Sequence, residues 1–138
     1  MTITAAFSNQ AKLDALIALC PPGNTYKGAL YTSAAALGKA STVYTTTGEV
    51  VGTGYTAGGQ ALTGLTQALD TDTAIMDFAD PSWANATVTA RGMTIYDSTN
   101  GNKVRAVLDF GADITSTGGP FMVALPAPAA ATAVIRIG

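Results

Sequence analysis

Histidine is missing from this chain of 138 residues, and cysteine occurs once, at Cys20. Those two shortages remove several kinds of chemistry. A Ser-His-Asp relay and a histidine-led metal site are both excluded. A papain-like cysteine would need a histidine partner, and one cysteine closes no disulfide within the chain. Charge is scarce as well. Seven Lys+Arg stand against nine Asp+Glu, for a formal net charge of −2. Charged residues make up 12 % of the chain, against roughly 25 % in an ordinary soluble domain. No basic run offers a phosphate-binding surface, so nucleic acid is not an expected partner. No apolar run reaches the roughly 18 residues of a spanning helix, so no membrane partner is expected. Residues 1–20 lack the basic start and continuous apolar run of a signal peptide. The expected site of synthesis is a cytoplasm, where the chain stays until it is assembled into something.

Thr, Ala and Gly fill the space that charge leaves, with 15 Gly in all. The surface they make is neutral. Such a surface suits either a stable small-residue β protein or one that packs against copies and partners. The length predicts one domain over residues 1–138.

The most structured stretch is a central hairpin over 86–110, ATVTARGMTIYDSTNGNKVRAVLDF. Strand-forming runs flank Asn100-Gly101, and both residues tolerate positive φ. A two-residue turn predicts that Ile95 faces Ala106 and Met93 faces Leu108. One face then collects Met93, Ile95, Val104, Ala106, Leu108 and Phe110. That face has to be covered by the remaining elements.

Thr2 to Phe7 reads as a short strand or an extended arm. Ser8 is the expected N-cap of a helix within 8–20, with Leu13, Leu16, Ile17 and Cys20 on one face. Pro21-Pro22-Gly23 ends it. Its apolar face docks either on the open end of the sheet core or on a neighbouring subunit. Asn24 to Thr32 and Ser41 to Val51 read as strands, the second interrupted by Gly48. Residues 52–64, GTGYTAGGQALTG, form a Gly-rich loop or arm whose large groups are Tyr55 and Leu62. The spacing matches neither GxxxxGK[ST] nor GxGxxG. Asp70-Thr71-Asp72 is an expected turn, Thr73 to Phe78 a strand and Pro81-Ser82 a break. Residues 111–119 read as a loop, followed by strands over Pro120 to Leu125 and Ala133 to Ile137. The last of these suits a sheet edge. The whole is mainly β: an antiparallel β-sandwich or small barrel with one short N-terminal helix.

Carboxylates are the remaining route to catalysis. Asp70, Asp72, Asp77 and Asp80 cluster in sequence, with Asp109 and Asp113 further on. A glycosidase pair needs a cleft, and this chain has neither long insertions nor many aromatics. Asp70 and Asp72 lack the spaced ligands and final Glu of a calcium loop. Solvated turns are the simpler reading, so no catalytic residue, cofactor or metal site is expected. Arg91 falls on the apolar hairpin face opposite Phe110 and needs a partner there, unless it sits at the sheet's end and reaches water. Glu49, the only glutamate, and Asp77 are the candidates. Asp109 is near but expected on the other face. Trp83, the only tryptophan, is either a core plug or an interface anchor. Glu49, Tyr55, Leu62, Trp83 and Arg91 are the interface candidates.

The segments YTTTGEVVGTGYTAGGQALTG, PSWANATVTARGMTIYDST and VRAVLDFG resemble a group of small virion proteins of tailed bacteriophages. The likeness covers roughly Ala29 to Gly138 and is best at Gly48-Glu49, Gly52 to Gly59 and Trp83. It carries over no catalytic residue. It implies a non-enzymatic structural protein, made in the host cytoplasm and ending on the virion. The favoured role is capsid decoration or cement, with the major capsid protein and further copies of the chain, as a trimer, for partners. A tail or head-fibre component bound to tail protein is the alternative. A carbohydrate-binding attachment module is a third reading, and would need exposed aromatics from Trp83 and Tyr26, Tyr31, Tyr44, Tyr55 or Tyr96.

Overall fold

A computed structural model describes residues 2–138. Helix α1 (Asn9–Leu19) is followed by strands β1 (Tyr26–Tyr31), β2 (Gln60–Ala61), β3 (Thr66–Asp70), β4 (Thr73–Asp77), β5 (Ser82–Asp97), β6 (Lys103–Met122) and β7 (Ile135–Ile137). They make two antiparallel sheets. The first has the order β2-β1-β5-β6 and the second β3-β4-β7. The chain is therefore mainly β, an open antiparallel sandwich with one short helix. No barrel closes.

The helix starts where Ser8 accepts a hydrogen bond from the Ala11 N–H at 3.1 Å. This satisfies one of the free donors of the first turn. Leu16 and Cys20 are fully buried. Leu13 packs beside them, whereas Ile17, expected on the same face, is largely exposed. The helix lies on β3, β4 and β7, so its apolar face covers the second sheet of its own chain. The core between the sheets holds Leu16, Leu30, Met76, Phe78, Trp83, Met93, Ile95 and Phe121. A smaller cluster on the outer face of the first sheet joins Ala29, Tyr31 and Tyr96 to Ala35, Leu37, Tyr44 and Val104. That second cover explains the burial along β5. Alternate residues are buried up to Ala90, and both faces are buried from Gly92 to Asp97.

The hairpin differs from its expected form at the turn. Asp97 pairs with Lys103, so five residues make the connection. The Asp97 carboxylate shapes it, accepting the Thr99 and Asn100 N–H groups at 3.1 and 3.2 Å. Gly101 and Asn102 take φ of 65° and 57°. A shift beside Tyr96 takes up the odd residue, so Ile95 still faces Ala106 and Met93 still faces Leu108. The same shift moves Val104 from the expected inner face to the outer cluster.

Several boundaries also change. Strand β6 continues through 111–119, expected as a loop, because β5 offers it a pairing partner as far back as Ser82. Residues 41–51, expected as a strand, make only isolated bridges at Val43 and Glu49. Thr66–Asp70 pairs with β4 through the Thr71-Asp72 turn, a strand the sequence did not mark.

The Gly-rich stretch lies against the first sheet. Thr53 bridges Thr87, and β2 pairs with β1. Gly59 sits at φ +73°, where an added Cβ would fall 1.8 Å from the Gly28 carbonyl oxygen. Gly101 has a similar φ but open space around it. Gly101→Ala should therefore cost about 1 kcal/mol of folding stability, the price of the left-handed backbone. Gly59→Ala should cost ~3 kcal/mol or more, since the backbone must also move. Urea denaturation of both variants measures the difference, and equal losses would contradict this packing.

Candidate functional site

The most elaborate polar arrangement is centred on Glu49. Its residue is 8 % exposed, and the carboxylate is fully engaged. Oε1 accepts the Tyr44 hydroxyl at 2.6 Å. Oε2 accepts the Tyr55 hydroxyl at 2.5 Å and the Gly58 N–H at 2.8 Å. The Tyr55 oxygen in turn accepts the Leu30 N–H of β1 at 3.0 Å. Tyr96 donates to the Gly58 carbonyl at 2.6 Å and stacks on Tyr44 with ring centroids 4.8 Å apart. Tyr31 donates to the Thr45 carbonyl at 2.6 Å. The cluster thus joins β1, β5 and both irregular segments that cover the first sheet.

Its electrostatics favour neutral tyrosines. Burial first, and then the hydrogen bond to Glu49, push the Tyr44 and Tyr55 hydroxyls well above their usual range. Burial does the same to Tyr31 and Tyr96, with smaller effects. All four stay protonated as donors, Tyr44 and Tyr55 to the Glu49 carboxylate and Tyr31 and Tyr96 to backbone carbonyls.

The other carboxylates are engaged in the same way. Asp70 accepts from the Ala130 N–H, Asp80 from the Leu125 N–H and Asp77 from the Phe78 N–H. Asp72 takes the Asn9 amide and Asp14 the Gln10 amide. Asp97 holds the hairpin turn and Asn24, and Asp109 the Gly111 N–H. Asp113 lies 3.9 Å from Arg91. Asp14 pairs within α1, and each of the other eight acidic residues holds a turn, a loop or a cation.

The interface candidates do not come together. Trp83 is buried against Tyr55 and Phe121. Tyr55 and Leu62 are half-buried and packed on the main core, so neither anchors a free arm. Glu49 is the buried node just described and lies away from solvent. Arg91 is not opposite Phe110. Ala90 pairs with Ile114 and Gly92 with Asp109, so Arg91 stands alone against four residues of a wide bulge. Its guanidinium reaches Asp109 at 3.6 Å and Asp113 at 3.9 Å, with 43 % of the side chain exposed. Glu49 and Asp77 are not its partners. A shallow cavity of about 330 Å3 lies beside it, lined by Tyr31, Thr32, Ser33 and Leu37.

Burial raises the Cys20 thiol above its usual range and leaves it inert. Among the described residues no group of three or more His, Cys, Asp or Glu is placed to hold a metal ion. Several residues that remain open are of another kind: Ile3, Phe7, Val51, Ile114 and Met122 are among the large, apolar and exposed ones. The sequence signalled Ile3 and Phe7 only as part of a short strand or an extended arm and did not signal Ile114 at all, because β6 was expected to end at Phe110. Comparison with known families, characterised proteins and solved structures gives no match.

Two outcomes follow from the buried acids. Glu49→Ala leaves two buried hydroxyls and an amide without their acceptor and should cost ~3 kcal/mol or more in urea denaturation. Tyr55→Phe, which removes one donor to Glu49 and the acceptor of the Leu30 N–H, should cost about 1–3 kcal/mol. Because the folded-state tyrosines ionise later than unfolded ones, their contribution is full below about pH 10 and is lost as pH rises beyond it.

Asp77 runs in the opposite sense from a paired acid. Its Oδ2 is buried without a partner. Burial raises its pKa, partly offset by the Phe78 N–H; the nearby Val134 amide also favours the charge without completing a bond to Oδ2. The protonated form thus suits the fold, and stability falls as pH rises through the raised folded value. Asp77→Asn should be the more stable protein at pH 7, with its advantage gone below the ordinary carboxylate range near pH 4. Melting curves at both pH values test this, and a variant less stable at pH 7 would contradict it.

Proposed function

We propose that the chain is a non-enzymatic structural subunit of a tailed-phage virion, a capsid decoration or cement protein that works as a symmetric trimer. The observation that carries the structural, non-catalytic part is the use of its acids. Every carboxylate is bound to a backbone amide, a hydroxyl, a side-chain amide or a guanidinium of its own chain. An acid–base pair poised over a cleft is a different arrangement from acids that are spent on internal contacts, most of them holding turns and loops. The virion part rests on the sequence likeness over Ala29 to Gly138. Low charge supports it as well, because copies packed side by side on a particle repel one another little.

Glycan attachment is less well supported. Tyr26, Tyr31, Tyr96 and Trp83 are buried, and the hydroxyls of Tyr44 and Tyr55 are taken by Glu49. No row of aromatic faces is left for a sugar to stack on.

The experiment is rebinding. Particles of the encoding phage, stripped of this chain, are mixed with the purified protein and imaged by electron microscopy. Saturable density at repeated capsid positions is expected. Density confined to the tail would replace decoration with the tail role. An absence of binding would defeat the virion role. Hydrolysis of a bacterial surface glycan, lost on Asp70→Asn or Asp109→Asn, would defeat the non-enzymatic one.

A further inference from the structure

Two surface features are unused by the fold, and they match each other. The first is residues 2–7, TITAAF. Among the described residues no backbone hydrogen bond joins this stretch to the rest of the chain. It belongs to neither sheet. Ile3 is 89 % and Phe7 60 % exposed. In an extended backbone Ile3, Ala5 and Phe7 share one side, with Thr2, Thr4 and Ala6 on the other. This is the pattern of a half-buried strand with no sheet to join.

The second feature is the outer edge of β6. It is the last strand of its sheet, so one side of its backbone has no neighbouring strand. The edge is guarded in places. Val104 donates to the Thr42 carbonyl at the start. The bulge with the Arg91, Asp109 and Asp113 charges interrupts the middle. Beyond it, Ile114 to Met122 contains no charged residue. Strands left bare in this way are templates for pairing, and isolated proteins usually protect them with charge. Beside this run lies a mainly apolar groove of about 390 Å3, lined by Leu108, Phe110, Ile114, Phe121, Met122 and Pro126, with Asp109 as its one charged wall residue. It is a gap at the open side of the sandwich, where no strand follows β6.

We infer that residues 2–7 of one copy of the chain add as a strand to the β6 edge of a second copy, placing Ile3 and Phe7 in the groove beside Ile114 and Met122. The dimensions agree. Six extended residues span about 20 Å, enough to run along β6 from Ile114 to its turn at Gly118, where φ is 65°. The chemistry agrees too: residues 2–7 and Ile114–Met122 carry no charge, and the one acid in the groove, Asp109, faces Arg91 with 78 % of its side chain exposed and can keep its water. The arm would supply the missing ladder partner through backbone bonds, with two large apolar side chains giving the register. The occupant is a second copy because the arm stands off both sheets of its own chain and its own β6 edge stays bare. Arm and edge are different surfaces, so each copy can give an arm to one neighbour and take one from another; the trimer of the proposed function corresponds to closure of that exchange by a threefold rotation. The inference rests on the oligomeric part of the proposed function and not on the virion part.

Sedimentation velocity of the full chain, of the chain lacking residues 2–7 and of Ile3→Asp plus Phe7→Asp tests it. The full chain should be oligomeric. Both variants should be monomeric, with association weakened by at least about tenfold and the far-UV circular dichroism of the full chain retained, while the melting temperature of the full chain alone rises with its concentration. Ile3→Cys chains mixed with Ile114→Cys or Met122→Cys chains should cross-link into pairs under mild oxidation. A monomeric full chain, an oligomer that survives loss of the arm, or a cross-link that closes only within one chain carrying both cysteines would each overturn it. No phage particle enters this experiment. Its failure leaves capsid rebinding to be judged separately, and an arm-linked oligomer that never binds capsid would defeat only the virion role.

Discussion

The rest of the first sheet's cover depends on one buried carboxylate. Segments 32–51 and 52–64 have almost no ladder of their own: two isolated bridges in the first, and in the second one bridge and the two-residue β2. Backbone that irregular does not hold itself in place against its conformational entropy, about 1–2 kcal/mol per residue. Glu49 supplies the fixed point. It draws Tyr44 from one segment and Tyr55 and Gly58 from the other, and Tyr55 is tied in turn to the Leu30 amide of β1. Burying a charge is costly, and it is tolerated here because all three donors aim at it. Once Tyr44 is placed, it stacks on Tyr96 and the outer cluster can form.

The same device recurs around the molecule. Asp97 shapes the hairpin turn, Asp70 holds the chain before β7 and Asp80 holds Leu125. A chain poor in charge uses its few acids as internal clamps, and this leaves a neutral exterior. The free β6 edge and the unpaired arm are where this molecule offers binding capacity that its own fold does not use.

Much of the frame is legible in the sequence because local chemistry dictates it. Ser8 with the following apolar spacing gives α1, Pro21-Pro22-Gly23 ends it, and Asp70-Thr71-Asp72 turns β3 into β4. The hairpin register at Ile95 and Met93 is legible although the turn is not. A five-residue connection and a one-residue shift offset each other, and neither has a marker in Asn100-Gly101. Tertiary pairing overrides local signals elsewhere. Gly111 and Gly118-Gly119-Pro120 read as breaks, yet β5 carries β6 through them. Ser41 to Val51 has strand-forming residues and no strand to pair with.

The site is less legible than the frame. Glu49 stands out as a lone glutamate in a strand-like run, but the sequence points to Arg91 as its counterpart. The actual partners are uncharged. Hydroxyls at Tyr44 and Tyr55 and one glycine amide become donors only after two irregular segments fold over the same sheet, and no spacing rule marks that. Arg91 is likewise diverted by a bulge that brings Asp109 and Asp113 to its side of the edge.

Hydrogen exchange followed by mass spectrometry, on the native protein and on Glu49→Gln, tests the central claim most directly. Glutamine keeps the shape and removes the charge. If Glu49 is the fixed point of both segments, residues 41–64 should lose protection together, including the Leu62 and Val50 amides, while the β5–β6 ladder exchanges as before. Faster exchange confined to Gly58, or an unchanged pattern throughout, would contradict the account.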